Sequence, residues 1–320
     1  MAGGIEVKNH RIGIIGNADD PEVELLKRRV EDLGARATVI DFSQFPHVTK
    51  ASIEGETVTY DDLELTSLDA FYLRQMGYFS PIPQKELTKE EWADYYGKFN
   101  DYLAGQRETL SFTESVIQIL SELRPVINPY QVAFYHRLKA YQYWTLAAGG
   151  LAVPEFMAGN DFFGMHEFLG RVPSVVKPLT GGFVSRYSPQ DLARDKDSLR
   201  KRPILLQREI TGRMLRSFVL GGRLVGTCEI ISKEGEADSR REILAMKIFS
   251  LTPAHQAIPI KACKVLGMIF AGVDLLLDEK SDTLHVLEAN PAPFFRNFEV
   301  QTGLPISQEL ARYLVEEAAK

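Results

Sequence analysis

The run Gly272-Val-Asp-Leu-Leu-Leu-Asp-Glu-Lys-Ser-Asp-Thr-Leu-His-Val-Leu-Glu-Ala-Asn290 constrains the fold more than any other stretch of the chain. Phe270–Leu277 and Leu284–Ala289 are short and apolar, and the polar stretch Asp278–Thr283 separates them, so the run reads as a β-hairpin. With the turn centred near Ser281, Asp274 and Glu288 come directly opposite each other, and Asn290 points to the same face. Like charges opposed across strands destabilise a sheet, the more so among Leu, Val and Phe. A divalent cation would remove that cost, and two carboxylates with an amide oxygen suit Mg²⁺ or Mn²⁺ held jointly with nucleotide phosphates. The plainer alternative, acids marking strand ends in solvent, stands beside this one.

The rest of the chain supplies the frame. Arg11–Gly16, a helical pattern over Pro21–Leu33, Gly34 as a stop and the strand Ala37–Phe42 form a βαβ unit, which implies a parallel sheet. Gly13 and Gly16 do not make the dinucleotide fingerprint, which sets aside a nicotinamide-dependent oxidoreductase. Leu68–Arg74 is a third strand. A helix-rich segment follows from Lys85 to Leu123, and its aromatics Trp92, Tyr95, Tyr96, Phe99 and Tyr102 are expected in a core. Phe112, Val116 and Leu120 recur at helical spacing and suggest packing.

Pro125–Pro129 is a short strand, and His136–Ala148 a helix closed by Gly149-Gly150. Val153–Glu155 opens another strand. Strand pairs follow in Ser174–Pro178 with Ile204–Glu209, and Arg216–Leu220 with Leu224–Ile230 across the Gly221-Gly222 turn. Ile260–Met268 and Pro305–Ala318 are expected helices. The expected organisation is an N-terminal α/β domain over 1–128 carrying the helical insert 85–123, then a second domain over 129–320, itself split into 129–206 and 207–320.

A net charge of −6 and the lack of a basic stripe with interleaved aromatics argue against a nucleic-acid partner. The two cysteines, Cys228 and Cys263, are far from any metal or disulfide spacing. No apolar leader or membrane-length window occurs, so a cytoplasmic protein is expected, with a homo-oligomer left open.

Taken in order, Lys139 on a helix, Lys177 on a strand, Gln207-Arg-Glu-Ile210, Arg216, and then Asp274, Glu288 and Asn290 make a pattern that resembles the ATP-grasp superfamily. Within it the chain is similar to the RimK-like, glutamate-ligase-like carboxylate–amine ligases, from about Val126 onward. Its most specific part is the stretch from Glu288 to Gly303, E-A-N-P-A-P-F-F-R-N-F-E-V-Q-T-G.

The resemblance implies an α/β ATP-grasp fold preceded by a parallel-sheet domain. It also implies that Asp274, Glu288 and Asn290 hold Mg²⁺, and that Lys139, Lys177 and the lid glycines Gly181 and Gly182 hold ATP. Gln207, Arg208, Glu209 and Ile210 would meet the adenine through the backbone, and Arg216 and Arg240 would neutralise phosphate or an acyl-phosphate. For Lys139 an ordinary surface lysine, and for Arg240 an exposed mixed-charge loop, are the plain alternatives. The implied reaction joins a carboxylate to an amine through an acyl-phosphate, forming ADP and phosphate, with an amino acid, peptide or protein terminus as substrate. Departures at Met214, Phe294 and the residues after Arg240 keep two rivals in view, a non-catalytic ATP-binding switch and an ATP-grasp kinase.

Overall fold

A computed structural model describes residues 10–75, 88–180, 184–233 and 243–320. The chain divides into two compact units, Met1–Tyr130 with Leu310–Lys320, and Gln131–Glu309.

The first unit is built on β1 (Arg11–Ile15), α1 (Pro21–Asp32), β2 (Arg36–Ile40), β3 (Ala51–Glu54), β4 (Thr57–Tyr60), β5 (Leu63–Glu64), β6 (Ala70–Leu73), α2 (Lys89–Gly97), α3 (Phe99–Leu123) and β7 (Val126–Ile127). β2, β1, β6 and β7 form a four-stranded sheet in that order, parallel throughout, as the βαβ pattern predicts. α1 starts where Asp20 accepts from Glu22 N–H and Pro21 supplies a preset first turn. It buries Val23, Leu26 and Val30. Gly13 is a packing glycine, because a Cβ there would lie 2.4 Å from the Phe71 ring. The small antiparallel sheet β3–β4–β5 was not anticipated.

In the helical segment, Val116 and Leu120 of α3 are buried as expected, together with Ile117, and Phe112 stacks on Phe45. The aromatic residues upstream depart from expectation. α2 buries no residue, and Trp92, Tyr95, Tyr96, Phe99 and Tyr102 pack against one another instead, with Tyr96 69% exposed. Helical spacing brings such rings together on one face, but nothing in spacing requires a core beneath that face.

The second unit contains α4 (Tyr130–Ala133, its first residue in the other unit), α5 (Lys139–Ala148), β8 (Phe156–Gly159), α6 (Phe162–Arg171), β9 (Ser174–Lys177), β10 (Ser185–Tyr187), α7 (Pro189–Arg194), α8 (Lys196–Leu199) and β11 (Ile204–Arg208). Strands β10, β9, β11 and β8 form an antiparallel sheet in that order. Met165, Phe168 and Leu169 of α6, with Leu192, Leu199 and Leu206, are the core behind it.

The unit continues through β12 (Arg213–Leu220), β13 (Arg223–Ser232), β14 (Ile243–Ile248), α9 (Pro253–Leu266), β15 (Phe270–Asp278), β16 (Thr283–Asn290) and α10 (Arg296–Thr302). These strands form a five-stranded antiparallel sheet, ordered β14-β13-β12-β15-β16. Leu215, Val219, Val273, Leu275, Leu277, Leu284 and Val286 bury one face against Leu146 of α5 and Ala262, Cys263 and Leu266 of α9. Gly221 and Gly222 both take positive φ, 55° and 73°, which the two-residue turn between β12 and β13 requires. Gly212 lets β12 start against its neighbour, since a Cβ there would meet Leu277 O at 2.1 Å. α9 begins at Pro253 rather than Ile260, because Thr252 caps it by accepting from His255 N–H, and it contains Pro259. β14 escaped the sequence reading because its run of mostly exposed residues does not alternate. The terminal helix α11 (Ile306–Ala318) buries Ile306, Leu310 and Leu314.

Candidate active site

α5 has an unusual buried face. Lys139, Gln142, Tyr143 and Leu146 recur at helical spacing and are all buried, although three of the four are polar. Polar groups out of water need partners. Lys139, 5% exposed, places its ammonium 3.2 Å from Glu288 Oε2. The plain reading of Lys139 as a surface residue therefore fails. Tyr143 donates its hydroxyl proton to Gln207 Oε1 at 2.7 Å and accepts from Lys177 Nζ at 3.3 Å. Burial pushes the Tyr143 hydroxyl pKa up, and the negative charges of Glu288 and Asp274 add to this, so it stays protonated.

Lys177 and Gln207 arrive from neighbouring strands. β9 and β11 pair with Lys177 opposite Leu205 and Val175 opposite Gln207, so Lys177 and Gln207 share a face. That face meets Tyr143. Lys177 is 8% exposed on a strand otherwise made of Ser and Val.

On the five-stranded sheet, Asp274 pairs with Glu288 and Gly272 with Asn290. The opposition read from the sequence is present, although the route to it differs. From Asp278–Thr283 up to Leu275–Val286 the hairpin is centred half a residue before Ser281. A β-bulge then inserts Leu287 and brings Glu288 opposite Asp274. Each carboxylate carries a cation. Arg216 of β12 stands opposite Asp274 and donates to both its oxygens, Nε at 2.6 Å and a terminal nitrogen at 2.8 Å. Burial pulls the Arg216 pKa down, yet the charge of and hydrogen bonds to Asp274 more than offset it, and the net shift is upward. The guanidinium also lies 5.1 Å above the Phe298 ring of α10.

The donor chemistry fits Mg²⁺. Two carboxylates on one face are hard oxygen ligands, and Asn290 Oδ1, which accepts from Ala292 N–H at 3.0 Å, keeps a second lone pair. Among the described residues no group of three or more His, Cys, Asp and Glu could hold a metal. The remainder of a Mg²⁺ shell would therefore come from phosphates and water.

A cleft of about 460 Å³ opens beside the strand end expected to meet adenine. Arg208, Glu209, Ile210 and Thr211 line it with His285 and the Asp278–Thr283 turn. His285 pairs with Leu276, so it lies on the same sheet face as Asp274 and Glu288, nearer the hairpin turn. Its Nδ1 is buried without a hydrogen-bond partner, and burial lowers its pKa. The N–H groups of Arg208 and Glu209 donate to Glu155 O and Pro173 O, so a base edge here would be read by carbonyls and by Ile210. The Arg208 and Glu209 side chains pair with Glu155 and Arg186.

The structure thus gathers Lys139, Lys177, Gln207, Arg216, Asp274, Glu288 and Asn290 around α5 and the two sheets, with Arg208–Ile210 at the cleft. Gly181, Gly182 and Arg240 lie outside the described residues. Sequence reasoning missed Gln142, Tyr143 and Phe298. The signal for the first two was available in the i, i+3, i+4, i+7 spacing from Lys139, but a stripe of polar residues reads as a solvated face.

A sequence profile for the RimK-like ATP-grasp domain matches residues 149–314. Lys139, Gln142 and Tyr143 precede that match. A probable alpha-L-glutamate ligase of Pasteurella multocida (strain Pm70) is 31% identical over 203 residues, 59% of this chain and 64% of that protein. Another from Picosynechococcus sp. is 31% identical over 195 residues, 57% of this chain and 64% of the other. The chain thus spans less than two-thirds of the length of these relatives. Among solved structures, the ATP-grasp ligase PsnB, complexed with a phosphomimetic variant of a minimal precursor, Mg and ADP, superposes with a TM-score of 0.84 at 22% identity. It covers 97% of this chain and 99% of that one. The macrocyclase MdnC of Microcystis aeruginosa MRC, bound with precursor peptide MdnA, gives a TM-score of 0.77 at 20% identity, covering 96% and 99%.

Proposed function

The chain belongs to the RimK-like ATP-grasp family and has the ATP-grasp fold, and from that premise we propose that it is an ATP-dependent ligase joining a carboxylate to an amine, with release of ADP and phosphate. The observation that carries this reading is the pairing of Asp274 with Glu288, each matched by a cation, the half-buried Arg216 and the buried Lys139. Such a cluster is costly to a fold unless anionic phosphates and a metal are to enter it.

Each residue then has a task. Glu209 and Ile210 at the cleft would hold the base, and Lys139, Lys177 and Glu288 would face the phosphates. Lys177, steadied by Tyr143, and Lys139 meet the phosphates as fixed positive charges. Bound through Asp274, Glu288 and Asn290, Mg²⁺ would neutralise charge on the β- and γ-phosphates. A substrate carboxylate oxygen attacks the γ-phosphorus, its bond to the bridging oxygen breaks, and ADP leaves with that electron pair. The amine then attacks the acyl carbon, phosphate departs and the amine proton is lost. Arg216, through the N–H groups that it does not give to Asp274, supplies an oxyanion partner for the acyl-phosphate.

An amino acid or peptide is the proposed substrate class. It accords with the glutamate-ligase names of the sequence relatives and with the precursor peptides bound in the structural neighbours. The test is product formation with Mg²⁺, ATP and pools of amino acids and short peptides. ADP and phosphate released only with a given acid–amine combination support the reading. AMP as the product overturns it.

A further inference from the structure

β16 is the outer strand of its sheet, and Ala289 sits on it between the two proposed metal ligands Glu288 and Asn290. Ala289 is fully buried, so its outward N–H and C=O cannot turn to water and must find partners. Elsewhere along this edge Val286 N–H donates to Ala152 O at 2.8 Å. At Ala289 no strand arrives among the described residues. The Gln142 side chain takes its place: Oε1 accepts from Ala289 N–H at 3.0 Å and Nε2 donates to Ala289 O at 3.1 Å. The second Nε2 proton goes to Tyr135 O at 2.6 Å.

A primary amide offers a donor and an acceptor side by side, as a strand's peptide groups do. Carboxylates lack the donor, ammonium and guanidinium groups lack the acceptor, and Asn is one carbon shorter. Gln142 is 1% exposed, so water does not compete for these bonds. The two bonds hold different peptide groups. Ala289 N–H belongs to the Glu288–Ala289 peptide, and Ala289 O to the Ala289–Asn290 peptide. Both side chains proposed to ligate metal thus leave a backbone fixed from outside by one amide.

We infer that Gln142 is a positioning residue for the metal-bearing strand, setting the orientation of Glu288 and Asn290. This rests on the metal reading of those two residues. Groups that orient metal ligands, without touching the metal, typically hold 10–100-fold of metal affinity (about one to two decades).

The test measures affinity for the non-hydrolysable analogue AMPPNP by calorimetry, with and without Mn²⁺, in the full chain. The ratio of the two affinities reports the metal contribution alone. Gln142→Leu is expected to lower that ratio by about tenfold, and Glu288→Gln to lower it at least as much. A lowered melting temperature in Gln142→Leu with an unchanged ratio would show a merely structural role and overturn the inference. A loss in Glu288→Gln but not in Gln142→Leu overturns the inference alone, whereas no loss in either overturns the metal reading and the inference with it. Should Gln142→Leu fail to fold, Gln142→Glu keeps the length and the bond from Ala289 N–H but loses both donors. A fall in the ratio supports the inference there too, and an unchanged ratio overturns it.

Discussion

Arg216 and Asp274 face each other on adjacent strands and share two hydrogen bonds, so the proposed metal carboxylate already has a cation of the protein's own. A metal entering here would compete with, or draw closer to, a neutralising partner built into the sheet. Arg216→Met removes that partner and leaves Asp274 beside Glu288 in a largely dry site. Without divalent ions the variant should lose about 3–5 kcal/mol of stability, the usual effect of breaking a buried pair. Mn²⁺ should restore part of it, because a ligand that binds only the folded state stabilises by mass action. Thermal unfolding with and without Mn²⁺ checks this, and equal Mn²⁺ responses in parent and variant would count against it.

Glu288→Gln keeps the shape of the side chain and discards its charge. Metal-dependent ATP turnover should fall by at least about a hundredfold, since a metal's charge stabilisation is worth several kcal/mol. Turnover as fast as the parent's would make the metal assignment wrong.

Lys177→Ala should weaken ATP binding by roughly tenfold or more, the scale of a charge-assisted hydrogen bond of about 1.5–3 kcal/mol. Tyr143→Phe removes the hydroxyl between Lys177 and Gln207 and leaves Gln207 Oε1 without that donor. It should cost about 1–3 kcal/mol in unfolding free energy and weaken ATP binding less than Lys177→Ala does. Denaturant melts and ATP titrations on both variants decide the ranking, and a Tyr143→Phe protein as stable as the parent contradicts it.

Stability should fall on mild acidification. Burial lowers the pKa values of both His136 and His285 below the ordinary imidazole value of 6.5. The unfolded chain therefore takes up protons first as pH falls. The stabilisation from neutral histidines is complete above about pH 6.5 and is lost as pH drops through the folded values. Melting temperature followed from pH 7.5 to pH 5 (roughly the imidazole range) should decline, and the double variant His136→Asn, His285→Gln should flatten that decline. An unaltered slope would place its origin elsewhere.

Much of the site was legible in the sequence because a hairpin ties pairing to position. A polar turn between two apolar runs fixes the hairpin to within one residue, and the bulge at Leu287, which no local pattern announced, supplies the last step that opposes Asp274 and Glu288. Lys177 was legible because a lysine amid valines on a strand needs a reason. Gln142 and Tyr143 were not, since a polar stripe beside Lys139 reads as a solvated face and the partners that bury it, Ala289 and Gln207, are 147 and 64 residues away. The aromatics of α2 misled for the converse reason. Spacing shows which side chains share a face of a helix but not what covers that face.

Helix α5 reaches both sheets from one face. Its Lys139 and Gln142 hold β16, and its Tyr143 holds β9 and β11. One residue of α-helix is about 100° of rotation and 1.5 Å of rise, so inserting a single residue between Gln142 and Tyr143 would swing Tyr143 away from both lysine and glutamine. The same geometry bears on motion. If the sheets part to admit a substrate, α5 must stay with one and let go of the other. The ion pair and the amide clamp bind it to β16, and its Leu146 shares a core with α9. Tyr143, with its two hydroxyl hydrogen bonds and its ring packed 5.1 Å from that of Phe156, is the looser tie, and a separation of the sheets would break there.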